Sequence, residues 1–555
     1  MPHRPAFAPY RIPPGVLPEE ASRAAAERAA GPLLASSADA LPAPLVAAAL
    51  AELPVGRAAS EAEACRAADG APSGLGAAPR ACLTSARHLA RVEEAARAAL
   101  AAGFAGILLD RPDASLAQGL LGAGFCDRCQ QAFLRDLTRE YGEPFQALDY
   151  QALVREALAS ASGAVGYAAL PFGGDFWRFR HDSLERAVRA QARAARDAAR
   201  AVGRPFTVAA WFEAVGPAQL QAARHVDAGV FPAAEVPARW TGLLALLRAA
   251  FGRRPVAVAA PPELAPVQLM RLAGLAACFG VGLASPEVDA ETGRQLKRLR
   301  GLVDELSGAG HGPAGAAPVT ECAILYSAEA DLWTSGRHRR AVELAAAALS
   351  SHQVQATVVL APAEAPPLAT LVLAGAEGVD RLEARELSRR LEAGGSLLVF
   401  GEATRKDELG RGPATFLPAG KPGGARTGGG LVAQLPPLVG PGGADAAVGD
   451  EVLDKALVAL LGKGRRALGL TGRARLSATL WRCGATLTVH LTTSGAERSQ
   501  GNTLFLGQHV AGGHRRARFR SAEGVDVEIR LNPSGYSVST VLPAFSGYAV
   551  LEVGG

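Results

Sequence analysis

Two hydrophobic rhythms divide the chain. From about residue 19 to 306, short apolar runs of strand length alternate with longer segments whose apolar positions recur at helical spacing. The clearest units are RACLTS (80–85), a helix over 88–102, GILLD (106–110), and helices over 127–141 and 182–202. FTVAAWFE (206–213), a helix over 217–224, VDAGVFP (226–232) and a helix over 238–251 follow. PVAVAAPPE (255–263), a helix over 266–278, VGLASPE (281–287) and a helix over 290–306 complete the series. Alternating β and α elements predict a parallel sheet, and this many repeats predict a (β/α)8-type barrel. With VGLASPE as the eighth strand, GILLD is the fourth and FTVAAWFE the fifth. The first three strands then fall in an alanine-rich, weakly patterned region, where GPLLASS (31–37) is one candidate and the barrel has room to be distorted. Residues 1–18 are proline-rich and read as an arm.

SGAGHGPAGAAP (307–318) has the composition of a linker. Over 319–466 a second α/β series follows: ECAILYS (321–327), a helix over 337–351, QATVVLAP (355–362), ATLVLAG (369–375), a helix over 382–393 and GGSLLVFGE (394–402). This predicts a Rossmann-like or flavodoxin-like domain. Residues 403–450 are rich in Gly and Pro and read as a mobile stretch, and a helix over 451–462 closes the unit. The turn after its first strand reads ILYSAEADLWTS, without the glycine fingerprint of a dinucleotide site, so no cofactor is expected. From 467 to 555 the rhythm changes to alternation with period two, as in ARLSATLWRCGATLTVHLTTS, and predicts an antiparallel β-sandwich.

Composition narrows the function classes. With 49% hydrophobic and 20% charged residues, the chain reads as soluble and globular, and its 555 residues exceed what one core supports. The net charge of +5 comes from arginines dispersed among acids on helix faces, which read as solvated surface and not as a nucleic-acid stripe. The opening MPHRPAFAPYRIPPG has no apolar leader run, and no apolar stretch is long enough for a membrane span. Seven scattered cysteines argue against a disulfide framework, so a reducing cytoplasm is the expected location.

Carboxylates at the carboxyl ends of barrel strands converge on one mouth. Four acids qualify by position: Asp110, Glu213, Glu235 and Glu263. Two such groups on opposite sides of a scissile bond suit glycoside hydrolysis. Each also has a bland reading: Asp110 as a loop cap or a partner of Arg111 or Arg80, Glu263 as part of a helix start, Glu213 and Glu235 as loop acids. Trp177, Trp211, Trp240 and Phe212 lie near strand ends or in loops and could stack on sugar rings, with Phe172 and Phe176 beside Trp177; the alternative is core or loop anchoring. Cys126 and Cys129 form a C-x-x-C without a second pair, which leaves packing of reduced thiols, half a metal site or a redox dithiol open. Cys65, Cys82, Cys278, Cys322 and Cys483 read as small buried hydrophobes.

The order of these parts resembles the family-42 β-galactosidases and the bacterial glycoside hydrolases that share their layout. The residues that carry the likeness are Gly103, Phe104, Gly106, Ile107 and Asp110, then Cys126 and Cys129, then Phe133, Leu137, Tyr141 and Gly142. ILYS (324–327), LVLAG (371–375), EAGGSLLVFGE (392–402) and the ending VLPAFSGYAVLEV extend it over the later domains. The resemblance implies a hydrolase acting on a carbohydrate, a trimerisation-type middle domain and a homo-oligomer, with a trimer as the family's form. Where the galactosidases carry Asn-Glu, the fourth strand here ends Leu109-Asp110-Arg111, and the seventh ends Pro261-Pro262-Glu263. A hydrolase of another specificity and an inactive carbohydrate-binding or scaffold relative are both left open.

Overall fold

A strand buried on both faces reads as an unbroken apolar run, and GILLD behaves so: all five of its residues are buried. Its first residue must be glycine, because a β-carbon on Gly106 would sit 2.2 Å from the carbonyl oxygen of Thr207 on the next strand. The computed structural model describes residues 50–555 apart from 54, 59, 61–62, 75–78, 117–120, 161–169, 286–287, 310–311, 314–315, 335, 402–424, 428, 441–443, 463–465, 494–497 and 555. The arm (1–18), the strand candidate 31–37 and residues 403–424 of the Gly/Pro-rich stretch 403–450 lie outside the described residues.

The barrel region runs β1 (Leu50–Leu53), α1 (Ala86–Ala101), β2 (Gly106–Asp110), α2 (Asp127–Tyr141), α3 (Tyr150–Ala159), α4 (Gly173–Ala201) and β3 (Thr207–Trp211). It continues with α5 (Pro217–Ala222), β4 (Ala228–Pro232), α6 (Trp240–Phe251), β5 (Val256–Ala259), α7 (Pro266–Phe279), β6 (Gly282–Ala284) and α8 (Ala290–Gly308). Strands β1 to β6 pair in sequential order and in parallel, as a (β/α)-barrel requires. RACLTS is not a strand: Arg80 and Ala81 make only isolated bridges to Arg57 and Ala64, and Ser85 already caps α1. The strand beside GILLD is instead LAEL, β1, whose Ala, Leu and Glu give little strand signal.

The middle domain comprises β7 (Ala317–Pro318), β8 (Cys322–Leu325), α9 (Ala328–Trp333), α10 (Arg337–Ser351), β9 (Ala356–Val359), β10 (Thr370–Ala374), α11 (Arg381–Glu392), β11 (Ser396–Phe400), β12 (Ala425–Thr427), β13 (Gly430–Leu435) and α12 (Asp450–Leu461). Its sheet order is β12-β13-β11-β10-β8-β9, parallel except for the edge strand β12. The first strand β8 lies between β9 and β10, the flavodoxin-like winding. Strand β7 leaves this unit and pairs with the sandwich.

The sandwich comprises β14 (Leu468–Thr471), β15 (Leu476–Cys483), β16 (Thr486–Thr493), β17 (Thr503–Gly507), α13 (Gln508–Ala511), β18 (Arg516–Ser521), β19 (Asp526–Arg530), β20 (Asn532–Ser534), β21 (Ser537–Val541) and β22 (Tyr548–Val553). One sheet is β14-β17-β21-β20 and the other β19-β18-β22-β16-β15-β7. Leu480, Val489, Leu504, Phe519, Val538 and Leu551 fill the space between them.

The domains are packed on one another through close approaches. A β-carbon on Gly242 of α6 would lie 2.3 Å from Cα of Glu343 on α10. Beside this crossing Arg239 faces the buried Glu343 carboxylate at 3.4 Å. At the sandwich, Trp481 Nε1 and Thr479 Oγ1 donate to the Cys278 carbonyl at the end of α7, at 2.9 and 3.0 Å. Among the described residues, no helix is long and apolar enough to cross a membrane.

Candidate active site and cysteine cluster

Strands β2 and β3 run in register to the pair Asp110–Trp211. Just beyond it the chain turns sharply at Arg111, whose φ of 54° is left-handed. The turn is fixed on both sides. Arg111 N donates to the Trp211 carbonyl at 2.8 Å, and the Arg111 carbonyl lies where a β-carbon on Gly56 would be only 2.3 Å away. This conformation sends the guanidinium to the next strand end. Arg111 Nη1 donates to Glu213 Oε1 at 3.0 Å, and its Nε faces Asp110 Oδ1 at 3.7 Å. Arg80 Nη1 approaches the same Glu213 oxygen at 3.8 Å.

Asp113 anchors the loop that carries Glu213. It is fully buried and accepts from Glu213 N at 2.9 and 3.1 Å, from Ala214 N at 3.2 Å and from Gln219 Nε2 at 3.0 Å. Burial pushes its carboxyl up to about 6, the hydrogen bonds from Glu213 N and Gln219 pull the other way, and the charge of Glu213 adds to the rise. The sequence reading missed Asp113, although the spacing Asp110-Arg111-Pro112-Asp113 holds a second carboxylate on the turn. Of the two partners the sequence offered Asp110, Arg111 does face it, at 3.7 Å, while Arg80 turns to Glu213, where both guanidinia meet.

Of the four strand-end acids, Asp110 and Glu213 are therefore brought together. Glu235 and Glu263 follow β4 and β5 on exposed loops. Trp211 is half-buried beside Asp110, and Trp177 is half-buried on α4, 4.5 Å from the His181 ring. Two aromatic platforms need correction. Phe212 is buried and stacked on Phe231 at 4.8 Å. Trp240 is buried, with its Nε1 donating to the Ala234 carbonyl at 2.7 Å. Full burial of such side chains contributes about 1.5–3 kcal/mol each, so both serve the core. Phe176 likewise packs with Phe125, Phe133 and Tyr150, while Phe172 stands edge-on to Phe145.

The C-x-x-C is not alone. Cys126 is the N-cap residue of α2 and Cys129 lies in its first turn. Cys65 and Cys82, read from sequence as small hydrophobes, are buried as expected but bring their sulfurs to the same point. Cys82 Sγ is 3.4 Å from both Cys126 Sγ and Cys129 Sγ, and Cys65 Sγ is 4.0 Å from Cys129 Sγ. All four sulfurs lie within 4.8 Å of one another. These separations are far beyond a disulfide bond. They match the edges of a tetrahedron with metal–sulfur bonds of about 2.3 Å, which measure about 3.8 Å. Hydrogen bonds from Cys126 and Cys129 push the Cys82 thiol well below its ordinary range, while hydrogen bonding within the same cluster, from Cys126 above all, holds Cys65 and Cys129 well above theirs. Four sulfurs fill every position of a tetrahedral zinc ion, so the donor set fits a structural ion and leaves no open site for substrate. Spacing alone concealed this, because Cys65 and Cys82 come from an irregular segment before α1 and not from a second C-x-x-C.

No protein-family model matches the chain, and no curated protein matches it by sequence. Solved structures do. The β-galactosidase from Rahnella sp. R3 is 12% identical, with a TM-score of 0.62 over 89% of this chain and 88% of that one. The β-galactosidase from Bacillus circulans is 12% identical, with a TM-score of 0.60 over 94% of this chain and 88% of that one. The α-L-fucosidase isoenzyme 2 from Paenibacillus thiaminolyticus is 13% identical, with a TM-score of 0.57 over 91% and 87%. The chain thus shares the fold of these solved glycosidases. More narrowly, it is the fold of the family-42 β-galactosidases, kept at a level of identity that establishes fold alone.

Proposed function

We propose that the chain is a glycoside hydrolase that works at the carboxyl-end mouth of its barrel, with Asp110 and Glu213 as the working carboxyl groups. The observation that carries this reading is their placement on neighbouring strand ends, joined through the single residue Arg111. Glu213, set between two guanidinia, suits the carboxylate that attacks or activates water. Asp110, 7% exposed, is the better-shielded group and suits the proton donor. The substrate is an oligosaccharide or glycoside. Glu263 and Glu235 serve in this scheme at most as outer contacts of the sugar. The four cysteines hold a structural zinc ion that ties the segment before α1 to α2. Reduced thiols suit the cytoplasm, and the middle domain suits self-association, with a trimer as the expected form.

The test is release of reducing ends from a panel of oligosaccharides. Loss of turnover by about 10²-fold or more in Glu213→Gln and in Asp110→Asn supports the assignment. Unchanged turnover in both removes it. A second reading, a barrel that binds carbohydrate without cleaving it, is favoured by the commitment of Glu213 to two arginines and by the strand ending Leu109-Asp110-Arg111 without an Asn-Glu pair. It requires sugar binding with no turnover in the unmodified chain. Sedimentation of the full chain tests the trimer.

A further inference from the structure

The turn between β20 and β21 places a tyrosine almost entirely in water. Tyr536 is 84% exposed, and it follows Gly535, whose φ of 57° makes the tight turn. Tyr536 stands at the edge of a cleft of about 380 Å³ between the middle domain and the sandwich, lined also by His352, Gln353, Arg466, Gly469 and Phe505. The floor is the outer face of the four-stranded sheet, where Gly469, Phe505 and Ser539 lie side by side on β14, β17 and β21. Gly469 leaves the floor open. A β-carbon there would meet Phe505 Cβ and Gln353 Oε1 at 3.6 Å, an ordinary contact that would take up cleft space.

The wall is held under strain. Gln353 has a left-handed φ of 60°, uncommon for a residue with a side chain and a feature that gathers at functional sites. Its amide clasps Leu470 of β14 from both sides, donating to the carbonyl and accepting from the N–H, each at 2.6 Å. The two domains therefore hold the cleft at a fixed width. Acidic groups stand near both cations of the wall. His352 faces Asp454 at 2.8 Å and Asp450 at 3.4 Å, and Arg466 lies in the field of Glu321. Among the described residues Arg466 makes one hydrogen bond, at 3.4 Å to the His352 carbonyl, of the five its guanidinium can donate.

We propose that this cleft is an accessory binding site for a neutral saccharide, separate from the barrel mouth. An exposed aromatic ring, a second ring on the floor and fixed polar groups around them suit the apolar face and the hydroxyl edge of a sugar ring. The acids facing His352 and Glu321 near Arg466 favour a neutral ligand over an anion, the unused guanidinium N–H groups can donate to hydroxyls, and the volume falls in the range of small-ligand sites. The site would hold a long glycan near the mouth while the barrel acts on another part of it. The choice of ligand rests on the glycosidase reading, but binding here does not depend on turnover there.

The test is calorimetric titration of the full chain with short oligosaccharides derived from β-galactan, xylan and mannan. Tyr536→Ala, on an exposed turn, leaves the fold intact, and Gly469→Val fills the floor. At least one oligosaccharide is expected to bind, and each variant is expected to weaken it about tenfold or more. Tyr536→Phe, which keeps the ring, is expected to bind as the unmodified chain does. Absence of binding by all three oligosaccharides overturns the proposal, as does equal affinity in Tyr536→Ala and Gly469→Val, which would place the sugar elsewhere. Turnover of the same oligosaccharides is read separately from reducing ends, so failure of this site and failure of the hydrolase reading are distinguishable.

Discussion

Arg111 holds Glu213 across a strand boundary: its Nη1 donates to Glu213 Oε1 at 3.0 Å while its own backbone sits at a φ of 54°. A left-handed residue with a side chain costs about 1–2 kcal/mol, so stability is given up to aim this guanidinium. The ion pair is partly exposed, and such pairs alone add little to stability. Positioning is then its main effect. Arg111→Met should lower kcat for a cleaved glycoside by about 10²-fold through misplacement of Glu213, with a smaller change in KM. Arg111→Gly should lose activity equally yet melt at a higher temperature than Arg111→Met, because glycine accepts the left-handed backbone freely. Equal melting temperatures would show that the turn is unstrained.

Asp113 gives the loop carrying Glu213 a dependence on pH. Its carboxyl is held at about 6 when folded, against 3.8 as its ordinary value. Between these values the folded chain binds more protons than the unfolded one, so this residue's contribution falls as pH rises from about 4 to 6 and is level outside that window. Asp113→Asn removes the titration but turns an amide N–H₂ toward the N–H groups of Glu213 and Ala214. The stability difference between Asp113→Asn and the unmodified chain, followed by urea unfolding, should therefore shrink from pH 4 to pH 6 and stay flat above it. A constant difference across the window would show that Asp113 keeps one protonation state.

How much of this was legible depended on whether the signal was local. GILLD was readable as an unbroken apolar run of strand length, the helix over 127–141 by its helical period, and the sandwich by strands such as β18 and β21 that alternate buried and more exposed positions. Asp110 and Glu213 were readable because strand ends in a barrel face one mouth. Strand β1 was not, since LAEL carries no β-branched residue. The roles of Arg80 and Asp113 were hidden because their partner Glu213 lies a hundred residues or more away, on the loop after β3. Phe212 looked like a sugar platform because one position at a strand end separates an inward side chain from an outward one, and Trp240 because it opens α6 directly after a loop.

The cysteine cluster makes a prediction about composition. The purified full chain should contain about one zinc ion, by elemental analysis. Cys82→Ala removes the sulfur that lies 3.4 Å from two others and should lose the metal and melt well below the unmodified chain. Cys278→Ala, a buried thiol at the end of α7, should keep the full metal content whatever it costs in packing. A strong chelator should lower the melting temperature of the unmodified chain and have no further effect on Cys82→Ala. Metal-free protein with four titratable thiols and unchanged melting would reduce the cluster to close packing of sulfur.

Two helix glycines should respond to alanine with opposite signs. In a helix interior alanine is favoured over glycine by about 1 kcal/mol where nothing crowds the new methyl group. Gly301, on α8, has no heavy atom within 4 Å of its β-carbon position, so Gly301→Ala should stabilise the chain by about that amount. Gly242 sits where α6 crosses α10, with Glu343 Cα at 2.3 Å and the Glu343 carbonyl oxygen at 2.6 Å from the same position. Backbone cannot yield as a flexible side chain can, so Gly242→Ala must part the helices and should cost about 1–3 kcal/mol. The parting would also lengthen the contact between Arg239 and the buried Glu343 carboxylate, which stands at 3.4 Å, and leave a charge less well answered inside the protein. Urea unfolding followed by circular dichroism distinguishes the signs. A stabilising Gly242→Ala would mean that the barrel and the middle domain do not press together at this crossing.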